Sequence, residues 1–202
     1  MKKAFFDNEK SVAKEKTDNG AQGVKDVLRR LDGAKFSLLG EMGRSVDFIK
    51  KEQVKDRALW AKFVHQFRIR DDVKDAGWRG EYWGKMMRGA CVVYTLDQDE
   101  ELYEILQETV KEILTTQDWL GRISTYSPER EFFGWDIWCR KYVMIGMSYF
   151  YDICKDEAFK KEILKSVCAQ ADYMIRRIGK GEGKIAITET STAWGCVNSC
   201  SI

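Results

Sequence analysis

In GWRGEYWG, Gly77 to Gly84, two tryptophans, a tyrosine, an arginine and a glutamate crowd into eight residues. A carboxylate among aromatic rings at the head of an apolar helix is costly to bury unless it is paired or faces water. Glu81 therefore marks either an ion pair, with Arg79 or Lys85 as partner, or the wall of a wet pocket. Trp78, Tyr82 and Trp83 admit the same two readings: packed core, or rings on which something flat and polar stacks. GWDIW, Gly134 to Trp138, repeats this chemistry with Trp135, Asp136 and Trp138. Asp136 either caps its helix or faces the pocket. Lys141 and Tyr142 interrupt an otherwise apolar run, which predicts that one of them faces a polar cavity.

Other candidates lie on connecting segments, where functional residues concentrate. Gln117, Asp118 and Tyr126 belong to the first, QDWLGRISTY. Glu189 belongs to the second, GKGEGKIAITETST, in which Ile185 and Ile187 alternate as a short strand would. Trp194 and Asn198 follow on an incipient helix. His65, the sole histidine, falls on an apolar stripe and reads as a packing or surface residue, so Ser-His-Asp chemistry has no support. GKGEGK lacks the spacing of a phosphate loop. The six cysteines read as buried reduced thiols; the pair Cys196 and Cys200 has no further ligands nearby to complete a zinc site.

An internal repeat positions these residues. Gly77-Trp78 matches Gly134-Trp135 at an offset of 57, and the same offset maps Met87 to Met144, Gly89 to Gly146, Tyr94 to Tyr151 and Leu106 to Ile163. Each unit reads as a helical hairpin. Its first helix (78–95, then 135–153) is apolar nearly all round, which predicts burial on every side. Its second (99–117, then 156–178) carries one apolar stripe at helical spacing. Asp97, Asp99 and Asp156 stand where N-caps and first-turn acids belong. An earlier hairpin is expected at 20–31 and 53–70, with Leu59, Trp60, Phe63, Val64 and Phe67 on its second stripe. A single proline suits long uninterrupted helices. Alternating buried and half-exposed helices describe an all-α toroid, with 1–35 as tail and first helix and 36–202 as a truncated α/α-toroid domain.

Composition bounds the function. With 44% apolar and 33% charged residues the chain reads as soluble and globular, and a net charge of +2 leaves no basic field for nucleic acid. Neither a membrane-spanning run nor a secretory leader is recognised, so a cytoplasmic protein is expected.

Four segments together, WRGEYWGKMMRGA, TTQDWLGRISTY, WDIWCRKYVMIGMSYFYDI and ETSTAWGCVNSCSI, resemble glycoside hydrolase family 127, the β-L-arabinofuranosidases and their relatives, from Phe36 to the last residue. The resemblance implies an (α/α)6 barrel with its pocket at one end of the inner helices, of which this chain supplies about half a ring. It implies a retaining hydrolase of terminal sugars such as β-L-arabinofuranosides, using a zinc-bound cysteine nucleophile and a glutamate acid/base. Those groups lie beyond the Ala193–Ile202 motif in the family. The expectation is therefore an inactive fragment with no catalytic or metal-binding residue of its own, zinc belonging to the complete enzyme. The expected ligand is a carbohydrate, for a sugar's C–H face lies well on Trp and Tyr rings. Self-association through exposed apolar helix faces is also expected. The chain departs from some relatives in carrying Lys141 and Tyr142 where they have histidine. Two other readings stand beside this one: another (α/α)6 carbohydrate enzyme, such as an unsaturated glucuronyl hydrolase-like protein, and a non-catalytic helical-repeat scaffold. Sugar chemistry predicts aromatics and carboxylates clustered at one end of the inner helices. A scaffold predicts a continuous groove along the array.

Overall fold

A computed structural model of the protein describes residues 37–73, 76–180 and 184. Glu189, Trp194, Asn198, Cys196, Cys200, the 20–31 helix and the Ile185–Ile187 segment lie outside the described residues. Six helices are described: α1 (Gly40–Ile49), α2 (Arg57–Ile69), α3 (Glu81–Asp97), α4 (Glu100–Leu114), α5 (Asp136–Ile153) and α6 (Glu157–Arg177). A π-type turn, Lys50–Val54, extends α1, and short 3-10 turns occupy Ala76–Gly80 and Pro128–Arg130. No strand element occurs among the described residues.

Helix starts follow local chemistry. Asp56, Asp99 and Asp156 each accept a backbone N–H of the first turn of α2, α4 and α6, satisfying donors that have no intrahelical partner. Asp97 does something else. It is the last residue of α3, accepts the Asp99 N–H and holds Lys50 at 2.5 Å. Lys50 and Lys55 also bind Asp99 at 2.6 and 2.8 Å, tying the π-type turn to the α3–α4 corner.

The molecule is built around the contact of α3 with α5. A Cβ on Gly84 would overlap the Tyr142 carbonyl oxygen, and one on Gly146 would lie 3.0 Å from the Gly84 Cα. Only glycine lets these backbones approach so closely. Gly80 meets Cys139, Gly84 meets Tyr142, and Gly146 meets Gly84 and Met87, so the two helices run in the same direction. Around this pair one core forms, with Trp83, Met87, Val143 and Phe150 of the pair packed among Trp60 and Phe67 of α2, Leu106 and Ile113 of α4, and Ile163 of α6. The helices α2, α4 and α6 form a second layer, also mutually parallel. Arg57 pairs with Glu108 and Arg68 with Glu112 between α2 and α4. Lys155, just before α6, meets Glu100, and Gln117, just after α4, donates to the Ser166 carbonyl.

One sequence expectation needs correction. The helices α3 and α5 are not buried on every side: Lys85, Arg88 and Val92 are exposed, and Trp138, Lys141, Tyr142, Ile145 and Tyr149 are half-buried. Apolar composition counted the long aromatic and basic side chains on this face as core, although no described element covers them. The glycines matched by the repeat also differ in role. Gly146 is a contact point, whereas a Cβ on Gly89 would meet nothing within 4 Å.

Candidate functional site

Because α3 and α5 are parallel, their N-terminal ends lie side by side, and the 117–127 connection is at the same end. There the 3-10 turn before α3 is braced from beneath. Thr125 Oγ1 donates to the Gly77 carbonyl, and a Cβ on Gly77 would lie 2.6 Å from the Tyr126 ring. The Cys139 thiol donates to the Trp78 carbonyl at 3.2 Å. Burial, then the carboxylates of Asp136 and Glu81, push that thiol well above its ordinary range, so it is a packing group and not a thiolate.

Below the α5 start lies a buried ionic knot. Asp136, wholly inside the protein, accepts Ser124 Oγ at 2.5 Å, the Phe132 N–H at 2.7 Å and Arg140 Nε at 3.0 Å, with Arg140 Nη2 ion-paired to it at 2.9 Å. Glu131 binds Tyr173 Oη at 2.6 Å, Arg177 at 2.9 Å and Arg122 at 3.3 Å. Burial first, then the hydrogen bond to Glu131, raise the Tyr173 phenol and keep it neutral as the donor. Asp136 thus neither caps α5 in the manner expected nor lines a pocket; it anchors the 122–135 segment to the helix. Tyr126 is equally internal, its Oη accepting the Trp135 N–H at 3.1 Å.

Above this base, one open face collects seven of the sequence candidates. Glu81 accepts the indole N–H of Trp138 and binds Lys85 Nζ at 2.9 Å. Residues 81 and 138 occupy the same position in the two repeats, so equivalent sites bond directly across the α3–α5 contact. Trp138 stands edge-on to Tyr142 (5.2 Å between centroids) and to Trp135 (6.1 Å). Trp78 stands edge-on to Tyr82 (5.2 Å), and Tyr82 leans on Phe63 of α2. Lys141 Nζ lies 3.7 Å from the Trp138 ring centroid. Trp78, Tyr82 and Trp135 keep more than a third of their surface in solvent. Trp83, by contrast, is core: its indole donates to Thr109 Oγ1 at 3.0 Å.

Gln117 and Asp118 are placed apart from this face. They line a separate cleft of about 340 Å3 with Trp119, Leu120, Gly121, Ala169, Asp172 and Arg176. Their polar atoms are spent on the loop and on α6: Gln117 donates to the Gly121 carbonyl and to that of Ser166 on α6, and Asp118 accepts the Leu120 and Arg122 N–H groups. Sequence reading used Lys85 only as an alternative ion-pair partner and missed Trp138 as the second. The helical spacing of Glu81 and Lys85 carried the first signal, and the 57-residue offset carried the second. His65 is exposed, and Cys91, Cys139 and Cys154 are buried free thiols, but Cys168 is exposed, contrary to a uniformly buried set.

No three His, Cys, Asp or Glu side chains converge as a metal site among the described residues. Among the described residues no ligand set fits the zinc that the family resemblance implies for the complete enzyme. No described helix is long and apolar enough to cross a membrane.

A family profile described as β-L-arabinofuranosidase, GH127 catalytic domain, matches residues 37–193. The structure is similar to that of a GH127 β-L-arabinofuranosidase from Geobacillus stearothermophilus T6, with a TM-score of 0.57 and 16% sequence identity. The likeness covers 70% of this chain and 25% of that one, so the chain spans about a quarter of the solved protein's length. Identity at this level speaks to the fold alone. Among curated proteins no significant match was found. The profile runs through both tryptophan segments and across most of the chain, and on that ground the protein belongs to the β-L-arabinofuranosidase family defined by the GH127 catalytic domain.

Proposed function

We propose that the chain forms a saccharide-binding wall of a glycoside hydrolase that acts on β-L-arabinofuranoside-like terminal sugars. The observation carrying this reading is the Glu81–Trp138 hydrogen bond, which joins two repeats and fixes an indole beside the exposed ring of Trp135, while Trp78 and Tyr82 flank Glu81 in sequence with their rings also exposed. Exposed rings offer a sugar its C–H stacking surface, and the Glu81 carboxylate offers an acceptor for hydroxyl donors. Parallel inner helices alternating with an outer layer support a reading of the hairpins as about half of an (α/α)6 ring, with this face turned toward its lumen. In this reading the chain contributes binding and orientation. Retaining chemistry, which requires a nucleophile and an acid/base on opposite sides of the anomeric carbon, belongs to residues outside the wall. Zinc in the complete enzyme remains part of the family expectation only.

The test is calorimetric titration of the chain with β-L-arabinofuranosyl disaccharide, alongside Trp138→Phe and Trp135→Ala. The reading expects saturable binding that weakens about ten-fold or more in each variant, with helical content unchanged. Binding that both variants leave intact would refute it.

A further inference from the structure

Four lysines among the described residues are half-buried: Lys50, Lys55, Lys141 and Lys160. Three of them rest on carboxylates, Lys50 and Lys55 on Asp99 and Lys160 on Glu157, at 2.6 to 2.9 Å. Lys141 is the exception. No described carboxylate lies within ion-pairing distance of it, and its Nζ sits over two rings, 3.7 Å from the Trp138 centroid and 4.7 Å from that of Tyr142. Lys85 Nζ lies 4.8 Å from the same Tyr142 ring, and Glu81, the one carboxylate beside the pair, binds Lys85. Of these two ammonium groups, only that of Lys85 has a carboxylate partner among the described residues.

Partial burial of an ammonium group is unfavourable without a counter-charge, and an aromatic face offsets only part of that cost. The arrangement also changes what the rings offer a ligand. A ring covered by an ammonium group presents N–H donors and positive charge, not a bare surface for C–H stacking. Trp135, beside Trp138 and 38% exposed, remains uncovered and can carry a sugar ring. We propose that the saccharide held on this face bears an anionic group, a carboxylate or a sulfate, seated on Lys141 while the neighbouring sugar ring lies on Trp135. This rests on the saccharide-wall reading and narrows its ligand to acidic sugars.

The experiment compares matched ligands on the full chain by calorimetry and indole NMR. The probes are digalacturonate and its dimethyl ester, galactose 6-sulfate and galactose, and neutral β-L-arabinofuranosyl disaccharide. At low salt, at least one acidic probe should bind about ten-fold more tightly than its neutral counterpart. The pair showing the advantage identifies carboxylate or sulfate as the source. That advantage should shrink at high salt, vanish in Lys141→Met and persist in Lys141→Arg. Equal binding of both acidic probes and their neutral counterparts, which needs no variant to fold, overturns the proposal, as does an advantage that survives in a folded Lys141→Met chain. If the neutral disaccharide binds and moves Trp135 while neither acidic probe gains, the anion falls and the saccharide wall stands. If no probe moves Trp135 or Trp138, both fall.

Discussion

Glu81 and Asp136 show how alike two carboxylates can look in a sequence and how differently they act. Each opens an apolar helix beside tryptophans. Glu81 sits at the surface of the α3–α5 contact, where glutamine can still accept the Trp138 N–H. Glu81→Gln should therefore cost stability by no more than about 1 kcal/mol while weakening saccharide binding several-fold, as a thermal melt and a titration on the same sample would reveal. Asp136 is enclosed with Arg140, and its removal strands a buried guanidinium. Asp136→Ala should destabilise by about 3–5 kcal/mol in urea unfolding. A loss below about 1 kcal/mol would mean that water reaches the knot. The Lys85 pairing of Glu81 was one of the two the sequence left open, beside Arg79. The fate of Asp136 was not legible, because Ser124 and Phe132 are brought to it by a loop whose path no periodicity encodes; only Arg140, one turn along α5, stands at a spacing the sequence displays.

At the scale of elements, the hairpins were readable because their apolar stripes and Asp caps are local: the second helices of the two repeats, expected at 99–117 and 156–178, are found at 100–114 and 157–177. The start of α3 was not, since a 3-10 turn over 76–80 replaces its expected first turn. Repeat arithmetic also equated Gly89 with Gly146, while the contact is made by Gly84. Gly84→Ala should destabilise by several kcal/mol, since a backbone carbonyl has little room to move away. Gly89→Ala faces open space and should be neutral or stabilise by up to about 1 kcal/mol. Denaturant midpoints of the two variants would test this opposition directly.

The α3–α4 corner carries a pH dependence. Burial alone would raise the Asp99 carboxyl, but its bonds to Lys50 and Lys55 and the Leu102 N–H hold it well below the ordinary range. Its stabilisation is therefore fully present above the unfolded value near 4 and is lost as pH falls through the lower folded value. Asp99→Asn keeps the helix cap and removes the charge. It should lower stability by roughly 1–2 kcal/mol at neutral pH and flatten the decline below about pH 4.

At the scale of the molecule, the repeat made the two-layer arrangement legible, while the open face was hidden because long aromatic and basic side chains count as core in any apolar tally. Leu39, Met42 and Phe48 on and beside α1 and Trp119 on its loop are each more than 60% exposed, beyond the open α3–α5 face. Apolar surface of this kind drives association. The chain should bind hydrophobic dye and sediment with a concentration-dependent mass; a dye-silent monomer would contradict this. The central claim, that the open α3–α5 face is a saccharide wall, is tested most directly by indole NMR during titration with β-L-arabinofuranosyl disaccharide. The account predicts that the Trp78, Trp135 and Trp138 resonances shift together and saturate, while Trp60 and Trp83, buried in the core, stay fixed. Saturation that moves Trp119 alone, or no movement at the three wall tryptophans, would contradict it.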